Sequence, residues 1–123
     1  MSNKYKILYV DDEEINLELF AINFKDSYEV LTAYDGYGGL EVLNSNIDIS
    51  IVISDMKMPG MNGIEFIKKA RQKYPYKKYY ILTGFEITNE IKEALSNGLI
   101  LEYFCKPFEI EKMHRIIAEA LNG

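Results

Sequence analysis

The residues of this chain that could do chemistry stand at the ends of apolar runs. Asp11 and Asp12 follow "YKILYV", Asp55 closes "ISIVIS", Thr83 and Gly84 follow "YYIL", and Lys106 and Pro107 follow "LEYFC". Three carboxylates brought within a few ångströms of one another repel by a few kcal/mol per close pair at an effective dielectric of about 20, so a cation belongs among them. Oxygen ligands favour Mg²⁺, Mn²⁺ or Ca²⁺ over zinc. With one Cys and one His the chain has no cluster for a softer metal, and His114, in the last helix, reads as a surface residue. Thr83 and Lys106 call for an anion beside the cation, and a phosphoryl group meets that demand. Its transfer to a carboxylate needs in-line positioning and neutralised equatorial oxygens, which a divalent ion and a lysine ammonium supply. The hydroxyl and backbone of Thr83 would hold a third oxygen, and Gly84 leaves room for the group to enter.

Such convergence needs elements that end side by side. Apolar runs of strand length at residues 5–10, 28–33, 47–53, 79–82 and 100–104 are separated by stretches long enough for helices. The last stretch is the clearest helix, with Ile110, Met113, Ile116, Ile117, Ala120 and Leu121 on one side of a period of about 3.6 residues. The fourth carries a narrow stripe of Ile87, Ile91, Ala94 and Leu95; Thr88 or Asn89 is its N-cap, without a capping box because Ile91 occupies the place of Glu or Gln, and Gly98 is its stop. In the first helix, residues 15–24, apolar side chains lie on more than one face, which predicts neighbours besides the sheet. Five strands alternating with five helices define an α/β chain with a parallel sheet covered on both faces by right-handed crossovers. In such a sheet, ligands bind beyond the carboxyl ends of the strands, where these residues lie.

Bulk properties narrow the class. A chain of 123 residues fits one domain, and 27% charged with 48% hydrophobic residues is a folded composition. The net charge of -5 argues against direct nucleic-acid binding, which demands a cationic face. Lys68, Lys69, Arg71, Lys73, Lys77 and Lys78 form a basic run, read as the solvated face of a helix and loop, with docking of an acidic partner as the alternative. A single Cys105 cannot form an internal disulfide and fits a reducing compartment. The N-terminal apolar run is too short for a signal peptide and no segment reaches membrane-spanning length, so a cytoplasmic location without membrane insertion is expected.

In this order and placement, Asp11-Asp12, "DMKMPGMNG" from Asp55, Thr83 and "YFCKPF" ending at Phe108 together resemble the response-regulator receiver domain of two-component signalling, CheY-like, over essentially the whole chain. The resemblance implies a doubly wound, flavodoxin-like (βα)5 three-layer sandwich with strand order 2-1-3-4-5, a single receiver at residues 1–123 and no output domain in this chain. It further implies Asp55 as phosphoacceptor, Asp11, Asp12 and the Lys57 backbone carbonyl as Mg²⁺ ligands with Asp55, Thr83 and Lys106 as phosphoryl contacts, and a cis peptide before Pro107. Tyr103 matches an aromatic switch that turns inward as Thr83 moves toward the phosphate. The implied partners are a sensor histidine kinase or phosphotransfer protein and an unidentified downstream protein, with a homodimer through the face of the fourth helix, fifth strand and fifth helix as a further expectation. Catalysis would extend only to the chain's own phosphorylation and slow dephosphorylation.

Simpler roles stand beside these. Asp12 alone would serve as a helix cap, Pro59, Gly60 and Gly63 as a turn, and Tyr103 as one tyrosine among 10. Relative to the family, "SNGLILEYFCKP" carries one extra residue between Gly98 and Tyr103, at the face used for output. Neither the Lys57 side chain nor Phe85 offers a carboxylate or amide to orient water, which predicts a long-lived phosphoaspartate that Phe85→Glu would shorten. A haloacid-dehalogenase-type enzyme would carry a second Asp two residues after the nucleophile, where Lys57 stands. A flavodoxin-like electron carrier would want a hydroxyl-rich loop where this chain has Asp-Asp-Glu-Glu. A receiver-like module that interacts without phosphorylation is the remaining alternative.

Overall fold

A computed structural model describes residues 4–84 and 86–122, so the expectation for Phe85 lies outside the described residues. Strands and helices alternate as β1 (Lys6–Val10), α1 (Glu14–Phe24), β2 (Glu29–Ala33), α2 (Gly36–Ser45), β3 (Ile49–Asp55), α3 (Gly63–Lys73), β4 (Lys78–Thr83), α4 (Asn89–Ser96), β5 (Glu102–Cys105) and α5 (Ile110–Asn122). All strand pairs are parallel, in the order β2-β1-β3-β4-β5, as the resemblance implied. Order reverses at β1, so the carboxyl ends of β1 and β3 flank the switch point where a crevice forms.

Strand alternation divides the core in two. Leu8, Val10, Val52, Tyr79 and Ile81 pack against α2, α3 and α4, while Ile7, Tyr9, Ile51, Ile53, Tyr80, Leu82 and Phe104 face α1 and α5. Period-two geometry therefore sends Asp11 and Asp55 to the α1/α5 side with Tyr9 and Ile53, and Thr83 to the other side with Ile81. Tyr103, paired in register with Ile81, packs half-buried against the α2/α3/α4 core.

Helix starts follow cap chemistry. The Asp35 carboxylate accepts from Gly38 N–H at 2.7 Å, and the Thr88 hydroxyl from Ile91 N–H at 3.2 Å, which makes Thr88 the N-cap of α4. Asn62 and Glu65 form a reciprocal capping box at α3. Gly98, at φ 80°, follows the end of α4. None of the described helices is long and apolar enough to cross a membrane.

Three expectations need correction, and the one for α1 is met. Strand β5 begins at Glu102 rather than Ile100, because the Ile100 N–H turns back to the Ala94 carbonyl of α4 at 3.2 Å; Leu101, whose N–H reaches Tyr79, is left with an exposed side chain. As expected, α1 has a neighbour besides the sheet, since Leu17, Phe20 and Phe24 are buried in a cluster with Met113 and Ile117 of α5, while Ile15 (63%), Leu19 (43%) and Ile22 (61%) face solvent. His114 is half-buried rather than a free surface residue. Its ring stacks on Phe24 at 4.3 Å and its Nε2 donates to the Asn23 carbonyl at 3.1 Å, tying α5 to α1. The basic run is only partly a solvated face. Arg71 donates to the Gly98 carbonyl, Lys73 to Asn44 Oδ1, and Lys77 to the Ile47 and Ile49 carbonyls, so these side chains clamp neighbouring segments.

Candidate functional site

Asp11 is the first residue beyond β1, and its N–H continues the ladder to the Ala33 carbonyl at 3.1 Å. It has no solvent exposure, so its charge must be met by donors. Oδ1 accepts from Glu13 N–H at 2.9 Å; Oδ2 accepts from the Tyr9 hydroxyl at 2.5 Å and lies 3.4 Å from Lys106 Nζ. Asp12 is exposed and is not the cap of α1, a place held by Glu13. Asp55, only 5% exposed, closes β3, and Lys106 Nζ stands 3.0 Å from its Oδ1. Ligand oxygens of Asp11, Asp12 and Asp55 lie within 4.8 Å of one another, an all-oxygen set that fits a hard divalent cation.

The loop after β3 doubles back at once. Met56 donates to the Leu82 carbonyl at 3.0 Å and Gly63 N–H returns to the Met56 carbonyl at 2.8 Å, with Gly60 at φ 82° in between. Only glycine fits at position 63, because a Cβ would run into the Asp55 carbonyl and stand 2.8 Å from Ile81 Cδ1. Pro59, Gly60 and Gly63 therefore fix the first turn of α3 directly against the backbone of Asp55. Lys106 is placed by its N–H, which donates to the Thr83 carbonyl at 2.8 Å, and is followed by a cis peptide to Pro107. Gly84 lies alongside its aliphatic stem, with room for a Cβ 3.4 Å from Lys106 Cδ.

Two clefts meet at Asp55. One, of about 330 Å³, is lined by Asp55, Thr83, Gly84, Asn62 and Thr88. The other, of about 500 Å³, is lined by Asp12, Glu13, Asp55, Pro59 and Lys106. The carboxylate is thus reachable from an acidic side and from a hydroxyl-bearing side.

Both members of the Lys106–Asp55 pair have raised pKa values, which a simple ion pair would not give. Burial pushes the Asp55 carboxyl up to about 6, the Asp11 charge acts in the same direction, and the Lys106 hydrogen bond and charge offset only part of this. Burial is also the largest influence on Lys106 and opposes its charge, but hydrogen bonds and charges from Asp55 and Asp11 together outweigh it. The ammonium therefore stays protonated between two carboxylates that compete for it.

The sequence reading missed Tyr9. Its only local signal is a phenol in a strand of otherwise aliphatic core residues, two positions before Asp11 and hence on the same face.

A family model for the response regulator receiver domain matches residues 7–118, and the chain belongs to that family. It is 31% identical to sporulation initiation phosphotransferase F of Bacillus subtilis over 94% of this chain and 93% of the relative. It is 26% identical to the hydrogenase transcriptional regulatory protein HoxA of Bradyrhizobium diazoefficiens over 99% of this chain and 25% of that relative. Against HoxA and other larger relatives the chain spans 25% to 49% of their length. A response regulator receiver domain protein from Clostridium thermocellum has the same fold, with a TM-score of 0.89 and 32% identity over 96% of this chain and 94% of that one.

Proposed function

We propose that the chain is a phosphoacceptor switch in a two-component phosphorelay, with Asp55 as the acceptor. The observation that carries the reading is the Lys106 ammonium 3.0 Å from a buried aspartate that shares its site with two further carboxylates. Asp11, Asp12, Asp55 and the Lys57 carbonyl would hold Mg²⁺, or Mn²⁺ in its place, which when bound supplies positive charge to the carboxylates and to the phosphoryl oxygens. One Asp55 oxygen attacks the phosphorus of a phosphohistidine on a histidine kinase or phosphotransfer protein. An O–P bond forms as the N–P bond breaks, and its electron pair returns to the imidazole nitrogen, which takes a proton from water. Lys106 neutralises one equatorial oxygen, and the Thr83 hydroxyl and backbone receive another. The exposed stripe of Ile15, Leu19 and Ile22, beside a shallow cleft lined by Leu19, Lys106, Pro107 and Phe108, gives a helical donor an apolar seat next to Asp55.

The product alters the site's balance of charge. A phosphoryl group adds acceptor oxygens and negative charge, favouring the state with Thr83 drawn toward it and Tyr103 turned inward on the same side of the sheet. The face of α4, β5 and α5 then changes, which sets binding to a downstream protein or to a second copy of the chain. Incubation with Mg²⁺ and acetyl phosphate, read by intact mass beside Asp55→Asn, tests the assignment. Gain of one phosphoryl group that needs both Mg²⁺ and Asp55 is the expected result. No gain by the folded, metal-binding protein from either acetyl phosphate or a phosphorylated kinase would favour a module that interacts without phosphorylation.

A further inference from the structure

Tyr9 lies beneath the acidic cluster, on the α1/α5 side of the sheet. Its hydroxyl donates to Asp11 Oδ2 at 2.5 Å, and its ring is held from two directions, stacked on Phe20 of α1 at 4.4 Å and met edge-on by Phe108 at 6.0 Å. The phenol cannot swing away without breaking that packing, so the hydroxyl is a fixed donor. With Glu13 N–H on the other oxygen at 2.9 Å, both oxygens of a fully buried carboxylate are pinned.

The same hydroxyl decides how Lys106 is shared. The ammonium stands 3.0 Å from Asp55 and 3.4 Å from Asp11, on the Asp11 oxygen that Tyr9 already satisfies. Without the phenol proton, that buried oxygen would have Lys106 as its remaining donor among the described residues and would draw the ammonium from Asp55, because an unmet buried acceptor is costly.

Resting on the Mg²⁺ reading of the site, we propose that Tyr9 is a positioning residue for that site: it locks Asp11 in the orientation that faces a divalent cation and leaves Lys106 for Asp55. Hydrogen bonds that orient metal-binding groups typically change metal affinity by about 10- to 100-fold when removed. Position and electronics predict opposite signs here. Loss of a donor makes the carboxylate more negative and would tighten cation binding, whereas loss of its orientation weakens it.

The test is calorimetric titration of Mg²⁺ into the wild type, Tyr9→Phe and Tyr80→Phe, the last removing a buried hydroxyl of β4 on the same side of the sheet. Tyr9→Phe weakens Mg²⁺ binding by about tenfold, and Tyr80→Phe leaves it at the wild-type value. In proton NMR, the Tyr9 hydroxyl resonance, assigned by its loss in Tyr9→Phe, shifts on addition of Mg²⁺ to the wild type. Phe20→Leu, which keeps the hydroxyl and removes the stack, weakens binding in the same direction and keeps the test decisive if Tyr9→Phe does not fold. Unchanged or tighter binding by folded Tyr9→Phe, or wild-type affinity in Phe20→Leu, overturns the proposal. A wild type that binds no Mg²⁺ instead removes the metal reading of the site, and the role of Tyr9 with it.

Discussion

Replacing Asp55 by Asn should stabilise the metal-free protein. Burial and the Asp11 charge move the Asp55 carboxyl from its ordinary 3.8 up to about 6. Between about pH 4 and 6 the folded state keeps a proton that the unfolded chain has released, so stability falls as pH rises through this window. Above about pH 6 the full cost is present. At about 1.4 kcal/mol for each tenfold change in proton affinity it amounts to about 3 kcal/mol. Asparagine is nearly isosteric and never ionises, but its amide makes a weaker partner for Lys106, so a net gain of about 1 to 3 kcal/mol is expected at neutral pH. Urea unfolding followed by far-UV circular dichroism, with chelator present, measures it at about pH 7.5 and about pH 4. The gain should be present at the higher pH and shrink to about 0.5 kcal/mol at the lower, where the folded carboxyl is protonated and the unfolded one is roughly half ionised, and Mg²⁺ should narrow the gap by stabilising the wild type preferentially. A gain equal at both pH values would place the effect in packing, and no gain at the higher pH would refute the reasoning about buried like charges.

Further expectations concern the neighbours of Asp55. Lys106→Met removes the neighbouring cation that holds the Asp55 pKa down, so carbon NMR of the carboxyl should show titration above about 6, and a lower value would contradict the ion-pair geometry. Gly63→Ala drives a methyl into the Asp55 carbonyl and should cost about 1 to 3 kcal/mol by urea unfolding, with little change meaning that the start of α3 gives way easily. Tyr103→Ala should weaken phosphorylation-dependent partner binding while Asp55 is still phosphorylated by acetyl phosphate. Loss of phosphorylation itself would give Tyr103 a role in folding or in the site.

Local pattern made the architecture readable. Apolar runs bounded by turn residues marked five strands to within two residues, and the stripe from Ile110 to Leu121 marked α5, because burial on a strand or helix repeats at a short fixed period. The acids, Thr83 and Lys106 could be placed at one edge of the sheet because parallel strands present their carboxyl ends together. The resemblance to receiver domains supplied the strand order and the cis peptide at Pro107, neither of which periodicity encodes.

What tertiary structure alone decided is which of these groups touch. Whether Lys106 reaches Asp55, Asp11 or both depends on the register of β1, β3, β4 and β5, and no local period records it. The Tyr9–Asp11 bond needed the ring clamp made by Phe20 and Phe108, residues from elements far apart in the chain. Likewise, the hydrophobicity of α1 said that two faces were apolar, but the position of α5 decided that Phe20 and Phe24 are covered while Ile15, Leu19 and Ile22 meet solvent. The sequence by itself therefore determined the elements, their order and the chemical types at the strand ends, because these follow from short-range repeats. Distances, burial and the division of one ammonium between two carboxylates arose only when separate strands and helices were packed together.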